Sequence, residues 1–229
     1  EEAEAEIPDP ANWRLGVASR GQGDPAAIAR AAELLVSAER PVILAGNGVH
    51  LSGASEALTR LAEGIGIPVI TSPLGKGAID ESSRLSLGAT GRNGPHAANE
   101  AARSCDVLLA LGTRFDDRPT SSWIPGMTYS IPPTRLIHVD VDVAEIGRNY
   151  PPEVGIVGDI GLVVRQILEA VTGREDGARS NHQAWLDRLA GLKDEWTEFL
   201  AGERDSDATP IHPARLVAEL NATMPNDAI

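Results

Sequence analysis

Cysteine occurs once in the 229 residues, at Cys105, so no disulfide can form within the chain and a reducing, cytoplasmic setting is the expectation. Lysine is nearly as scarce, at positions 76 and 193 only, which leaves arginine to carry the positive charge. The balance is acidic, with a formal net charge of -13. Such a field repels phosphate backbones and anionic headgroups, so neither nucleic acid nor a membrane is expected as a partner. Any anionic ligand must be held by local arginines or main-chain N–H groups. The chain also lacks an apolar run of about 18 residues and a basic-then-apolar leader, so neither a membrane span nor an export signal is expected. Its five histidines show no H-x3-H spacing, and no metal site is read from them.

What is present alternates. Asp24-Pro25 supplies an N-cap with proline at the first helical position, and Ile28, Ala31 and Leu35 fall at helical spacing up to about Ala38. Pro41 to Ala45 reads as a buried strand. Gly46-Asn47-Gly48 then turns the chain into a helix capped by Ser52 and carrying Leu58, Leu61, Ala62 and Ile65. Pro68 to Thr71 is the next strand, running on toward Gly75-Lys76-Gly77, and a short helix follows from Pro95 to Ser104. Val107 to Leu111 and Leu136 to Asp140 are two further strands, ending at Gly112 and at Asp140-Val141-Asp142. Val154 to Val157 delivers Gly158-Asp159 to a helix from Ile160 to about Val171. Strands and helices at this interval form right-handed βαβ units. The predicted fold is α/β, a doubly wound parallel sheet of about six strands with helices on both faces.

The organisation read from the chain has four parts. Residues 1–23, acidic and then rich in Pro, Gly and Arg, form a linker; residues 24–171 form the α/β domain. Residues 172–207 begin as a polar linker, Thr172 to Ser180, and continue as an amphipathic helix bearing Trp185, Leu189, Leu192, Trp196 and Phe199, expected to pack on its own domain. Residues 208–229 hold another helix, Ile211 to Met224, and the start of an apolar strand at Asp227-Ala228-Ile229.

In an open parallel sheet, ligands bind beyond the carboxyl ends of the strands. One such glycine alone is explained by a turn; recurrence of Gly or Asp at four strand ends points to a nucleotide crevice. Gly46 and Gly48 would let backbone approach a diphosphate, Arg114 and Arg118 would fork onto its oxygens, and Asp140 or Asp142 would accept from ribose hydroxyls. The dinucleotide fingerprint is incomplete: Leu51 stands where its third glycine belongs, and Thr71-Ser72 where its acidic residue belongs. NAD-dependent hydride transfer is therefore not expected. Asp116 and Asp117, adjacent in an extended segment, should point to opposite sides, one to ligand and one to a neighbouring Arg. His138 in its strand reads as a packed, hydrogen-bonded residue, and Cys105 as a small core residue.

The set GNG, GKG, LGTRFDDR, HVDVDVAEIG and VGD resembles the central domain of thiamin-diphosphate-dependent enzymes, nearest to the large catalytic subunit of acetolactate (acetohydroxyacid) synthase. The resemblance covers nearly the whole chain. It implies a Rossmann-like, DHS-like NAD/FAD-binding topology and a cofactor, FAD or ADP, without redox part in the reaction. It implies contacts from Gly46, Asn47 and Gly48; from Ser72, Pro73 and Leu74; from Gly112, Arg114, Asp116 and Arg118; from Asp140 and Val141; and from Gly158, Asp159 and Ile160. It places residues 1–23 after a pyrimidine-binding domain and residues 208–229 at the opening of a diphosphate-binding domain. Those domains of the same polypeptide would hold thiamin diphosphate and magnesium. No Gly-Asp-Gly occurs here, so the resemblance implies no catalytic residue in this piece, which alone should be inactive. The parent would decarboxylate a 2-keto acid and transfer the carbanion equivalent, as a homo-oligomer, dimer or tetramer. The family's Leu-Gly-Met-His-Gly, on the flavin side, reads Leu87-Gly88-Ala89-Thr90-Gly91 here, and related branches hold ADP or nothing. A purely structural spacer with no nucleotide is the alternative, and a free-standing NAD-dependent deacylase ranks last.

Overall fold

A computed structural model describes residues 20–225. Most of the N-terminal linker and the strand expected at 227–229 lie outside the described residues. Six strands form one sheet: β1 (Pro41–Ala45), β2 (Val69–Thr71), β3 (Ser86–Ala89), β4 (Val107–Leu111), β5 (Arg135–Asp140) and β6 (Val154–Val157). Their order is β3-β2-β1-β4-β5-β6 and every pairing is parallel, which is the doubly wound arrangement expected. Five strands were legible as apolar runs. The sixth, β3, is an edge strand of four residues containing Gly88, and its pairing with β2 slips between Val69 and Ile70. A short half-polar segment acquires strand geometry only from its neighbour.

The central strands are buried on both faces, and alternate residues serve two cores. Ile43, Val107, Leu109, Ile137 and Val139 join α1 (Pro25–Ser37), α3 (Ser55–Ile65) and α6 (Ile160–Val171) in the larger one. Val42, Leu44, Leu108, Ala110 and Leu136 join α4 (His96–Ser104) and α7 (Glu175–Arg204) in the other. The first helix begins as its sequence dictates, with the Asp24 carboxylate accepting from the N–H groups of Ala26 and Ala27.

Two local expectations need correction. Ser52 does not open the helix after the glycine turn. It closes a separate five-residue helix, α2 (Asn47–Leu51), its hydroxyl donating back to the Gly48 carbonyl, and α3 starts three residues later. The polar stretch 172–180 is not a linker throughout, because α7 already begins at Glu175 and runs 30 residues. Tertiary contact overrides its polar composition: Ala178 is buried, and His182 Nδ1–H donates to the Ile65 carbonyl at 2.6 Å. As expected, the apolar stripe of α7 packs on this domain, with Trp185 and Leu189 buried and Trp185 Nε1–H donating to the Pro41 carbonyl. Beyond Leu192 the stripe leaves the core, and Trp196 stacks on an exposed Phe199. The last helix, α8 (Pro213–Thr223), buries none of its residues.

Candidate functional site

Strand order reverses direction between β1 and β4, and there the two strand tips are locked together by main chain. Gly46 N–H donates to the Leu111 carbonyl at 2.9 Å, and Gly48 N–H to the Gly112 carbonyl at 3.1 Å. Gly112 has φ of +58°, and a Cβ built on it would stand 2.5 Å from the Gly48 Cα. One on Gly46 would stand 2.2 Å from the Gly112 carbonyl oxygen. These glycines are thus required first by the contact between two loops. The crevice the loops open toward is a cavity of about 940 Å³. That lies within the range of small-molecule and cofactor sites.

Five strand-end segments line it. Asn47, Gly48, Leu51 and Ser52 come from the β1 end, and Ser72, Pro73 and Leu74 from the β2 end. Gly112, Thr113, Arg114 and the run 116–119 follow β4; Asp140, Val141, Asp142 and Glu145 follow β5; Asp159 and Ile160 follow β6. Of the residues singled out from sequence, all line the cavity except Gly46 and Gly158. Gly46 lies behind the wall, under Gly112. Gly158 is packed between Val163 and the main chain of Gly21 and Gly23, its N–H donating to the Asp140 carbonyl.

The loop after β4 owes its shape to Phe115, a non-glycine residue with φ of +52°. Its ring is buried edge-on against Tyr129, His138 and Tyr150, with centroids 5.2–5.5 Å away. The flanking carbonyls are tied down from the same side. Trp123 Nε1–H donates to Phe115 O at 2.7 Å, Asn149 Nδ2–H to Arg114 O at 2.9 Å, and His138 Nε2–H to Thr113 O at 3.1 Å. Gly147 N–H approaches the other ring nitrogen of His138, so the imidazole is neutral, and burial holds its pKa below the ordinary value. This buried cluster holds the left-handed turn in place while Arg114 and Asp116 remain on the cavity wall. His138 and Cys105 are the packed residues expected; burial pushes the Cys105 thiol up to about 12.

Asp116 and Asp117 differ from expectation. Asp116 precedes the one-turn helix α5 (Asp117–Thr120), and both aspartates line the cavity. Asp116 stays extended as the residue before the helix while Asp117 enters it, and neither forms an ion pair among the described residues. The ion pairs at the cavity edge, Arg20 with Asp159 and Arg148 with Glu145, leave Arg114 and Arg118 without a carboxylate partner among the described residues. Asp140 spends one oxygen on the Asp142 N–H at 3.0 Å. Leu51, Leu74 and Val141 are about three-quarters exposed, an aliphatic rim around a polar centre.

Sequence reasoning missed Arg20, Leu51, Ser52, Thr113, Pro119 and Glu145. Leu51 and Ser52 stand one helical turn beyond Gly48, a spacing that could have marked them. Arg20 lies in a segment read as linker and has no local signature.

Residues 28–167 match the family described as thiamine pyrophosphate enzyme, central domain. A probable acetolactate synthase large subunit of Methanocaldococcus jannaschii is 43% identical over 214 residues, 93% of this chain and 34% of that protein. The acetolactate synthase large subunit of Parasynechococcus marenigrum is 39% identical over 75% of this chain and 27% of its own length. An acetolactate synthase of Mycobacterium avium is 43% identical over 66% of this chain and 23% of its own. The chain spans about a third, or less, of the length of these relatives.

Proposed function

The chain belongs to the thiamine pyrophosphate enzyme family, through its central domain, and from that premise we propose that it is the nucleotide-holding, non-catalytic middle of an acetolactate-synthase-like enzyme. The observation that carries this is a cavity of about 940 Å³ at the strand-order reversal, with two arginines, Arg114 and Arg118, that have no carboxylate partner among the described residues, beside an aliphatic rim.

The donor set fits an adenine nucleotide. Arg114 and Arg118 hold the diphosphate, bidentate where geometry permits. Asp140 keeps an oxygen for a ribose hydroxyl, and Leu51, Leu74 and Val141 cover the faces of a base. The ligand is FAD or ADP, serving as structural cofactor. Thiamin diphosphate and magnesium, held by the pyrimidine- and diphosphate-binding domains of the parent polypeptide, would supply decarboxylation of a 2-keto acid and transfer of the resulting carbanion equivalent. The parent works as a cytoplasmic homo-oligomer, dimer or tetramer, and this chain contributes scaffold and pocket.

One observation favours a shorter ligand or the spacer reading. The Thr90 hydroxyl, on the segment that departs from the family pattern, is turned to Tyr129 Oη at 3.0 Å, and none of residues 87–91 lines the cavity. Flavin absorbance in the blue and thermal shift with FAD and with ADP separate the cases. Ligand at 100 times its dissociation constant adds about 2.7 kcal/mol of stability. A shift with ADP alone selects ADP, and no shift with either leaves the spacer.

A further inference from the structure

The cavity wall carries six carboxylates, Asp116, Asp117, Asp140, Asp142, Glu145 and Asp159, against three arginines. A diphosphate entering it meets a net negative field, so each guanidinium matters. Arg114 and Arg118 belong to one loop. The third, Arg20, comes from the segment that precedes α1 and stands beside Asp159 and Ser52.

That segment is anchored at its base. Asp159 N–H donates to the Gly21 carbonyl at 2.9 Å, and the Gln166 side-chain amide bonds both the N–H and the carbonyl of Gly23, at 2.8 and 3.2 Å. The tip is held loosely. One Arg20 nitrogen, Nη1, lies 3.2 Å from the Ser52 carbonyl and 3.5 Å from Asp159 Oδ2, and the side chain is 61% exposed. Strong charge-assisted bonds are shorter than either contact, and although the Asp159 side chain is only 11% exposed, the exposed guanidinium is free to re-orient. Asp159 meanwhile has a second task on its other oxygen: Oδ1 accepts from Leu162 N–H and caps α6. Arg20 can therefore leave Oδ2 without uncapping the helix. The two oxygens divide the labour.

We propose that Arg20 is a phosphate-selecting residue of the cavity, kept between Asp159 and Ser52 until a ligand phosphate takes it over. The inference rests on the nucleotide reading above. Asp159 then acts as a brake on phosphate binding rather than as a ligand contact: its charge competes with the phosphate for Arg20.

The consequence is a pair of opposite effects confined to phosphorylated ligands, measured by calorimetry on the 229-residue chain with ADP and with adenosine. Arg20→Ala should weaken ADP about tenfold, the scale of a charge-assisted hydrogen bond, and adenosine by less than about twofold. Arg20→Lys should recover part of the loss. Asp159→Asn should tighten ADP a few-fold, since Asn caps a helix as well as Asp and the competing charge is gone. If Arg20→Ala weakens both ligands equally, or neither, while the unaltered chain binds ADP, Arg20 is a brace only and the nucleotide reading stands without it. If the unaltered chain binds neither ligand, the nucleotide reading falls and this inference with it. A melting temperature of each variant without nucleotide, expected within a few degrees of the parent's, separates misfolding from lost contact.

Discussion

Gly48 and Gly112 touch main chain to main chain: the N–H of the first donates to the carbonyl of the second at 3.1 Å, and the Cα of Gly48 occupies the place where Gly112 would carry a side chain. The two strand tips on either side of the reversal are thereby set at a distance that no other residue pair permits. Gly112→Ala should remove about 2–4 kcal/mol of stability, of which about 1–2 comes from the left-handed φ and the rest from forced separation of the loops. Urea unfolding measures it. A loss below about 0.5 kcal/mol, the range of neutral surface changes, would show that the loops part freely.

A contrast along α7 tests which half of the helix belongs to this domain. Trp185 is 3% exposed and hydrogen-bonded to Pro41, so Trp185→Ala should destabilise by about 3–5 kcal/mol. Phe199, 69% exposed, should tolerate alanine within about 0.5 kcal/mol. Equal effects at both positions would mean that the distal turns are docked as firmly as the proximal ones.

The acid limb of stability should carry a histidine signature. Burial lowers the pKa of His138 and His182 below 6.5, with their bonds to the Thr113 and Ile65 carbonyls opposing the shift. The unfolded chain therefore protonates at higher pH than the folded one. The stability carried by the neutral rings is complete above pH 6.5 and is lost as pH falls from there through the folded-state values. Unfolding free energies on either side of that window measure the loss, and a His138→Gln, His182→Gln variant should show a smaller one.

Asp140 offers the test of ribose recognition. One of its oxygens serves the Asp142 N–H, and the other accepts no hydrogen bond among the described residues. Asp140→Ala should abolish any preference for ADP over 2′-deoxy-ADP, at a loss of about 1.5–3 kcal/mol for the hydroxyl-bearing nucleotide. Unchanged discrimination in a binding assay would move ribose recognition to another residue.

How much of this was legible varied with the range of the forces. The strands from Pro41, Val107 and Leu136 are apolar because both of their faces are covered, so their runs read directly as parallel strands. Asp24-Pro25 announces its helix because capping involves neighbours two and three residues away. Strand β3 and the first turn of α7 carry no such pattern: Ser86 to Ala89 is a strand because β2 offers it hydrogen bonds, and Glu175 to Ser180 is helical because Ala178 and His182 are buried against the rest of the domain. The cavity residues found in advance stand where strands end, which is a local mark. Arg20 was found only once chain far away in sequence had been brought beside it.

By itself the sequence determined the alternation of elements, the parallel sheet and the strand ends that must gather at one edge, because periodicity, capping and turn chemistry act over a few residues. The tertiary structure alone decided that Gly46 and Gly112 serve each other before any ligand, that Phe115 is held in a left-handed turn by a buried aromatic cluster, and that Arg20 faces Asp159 from 139 residues away. Those relations depend on excluded volume and charge between segments that meet only when the sheet is assembled.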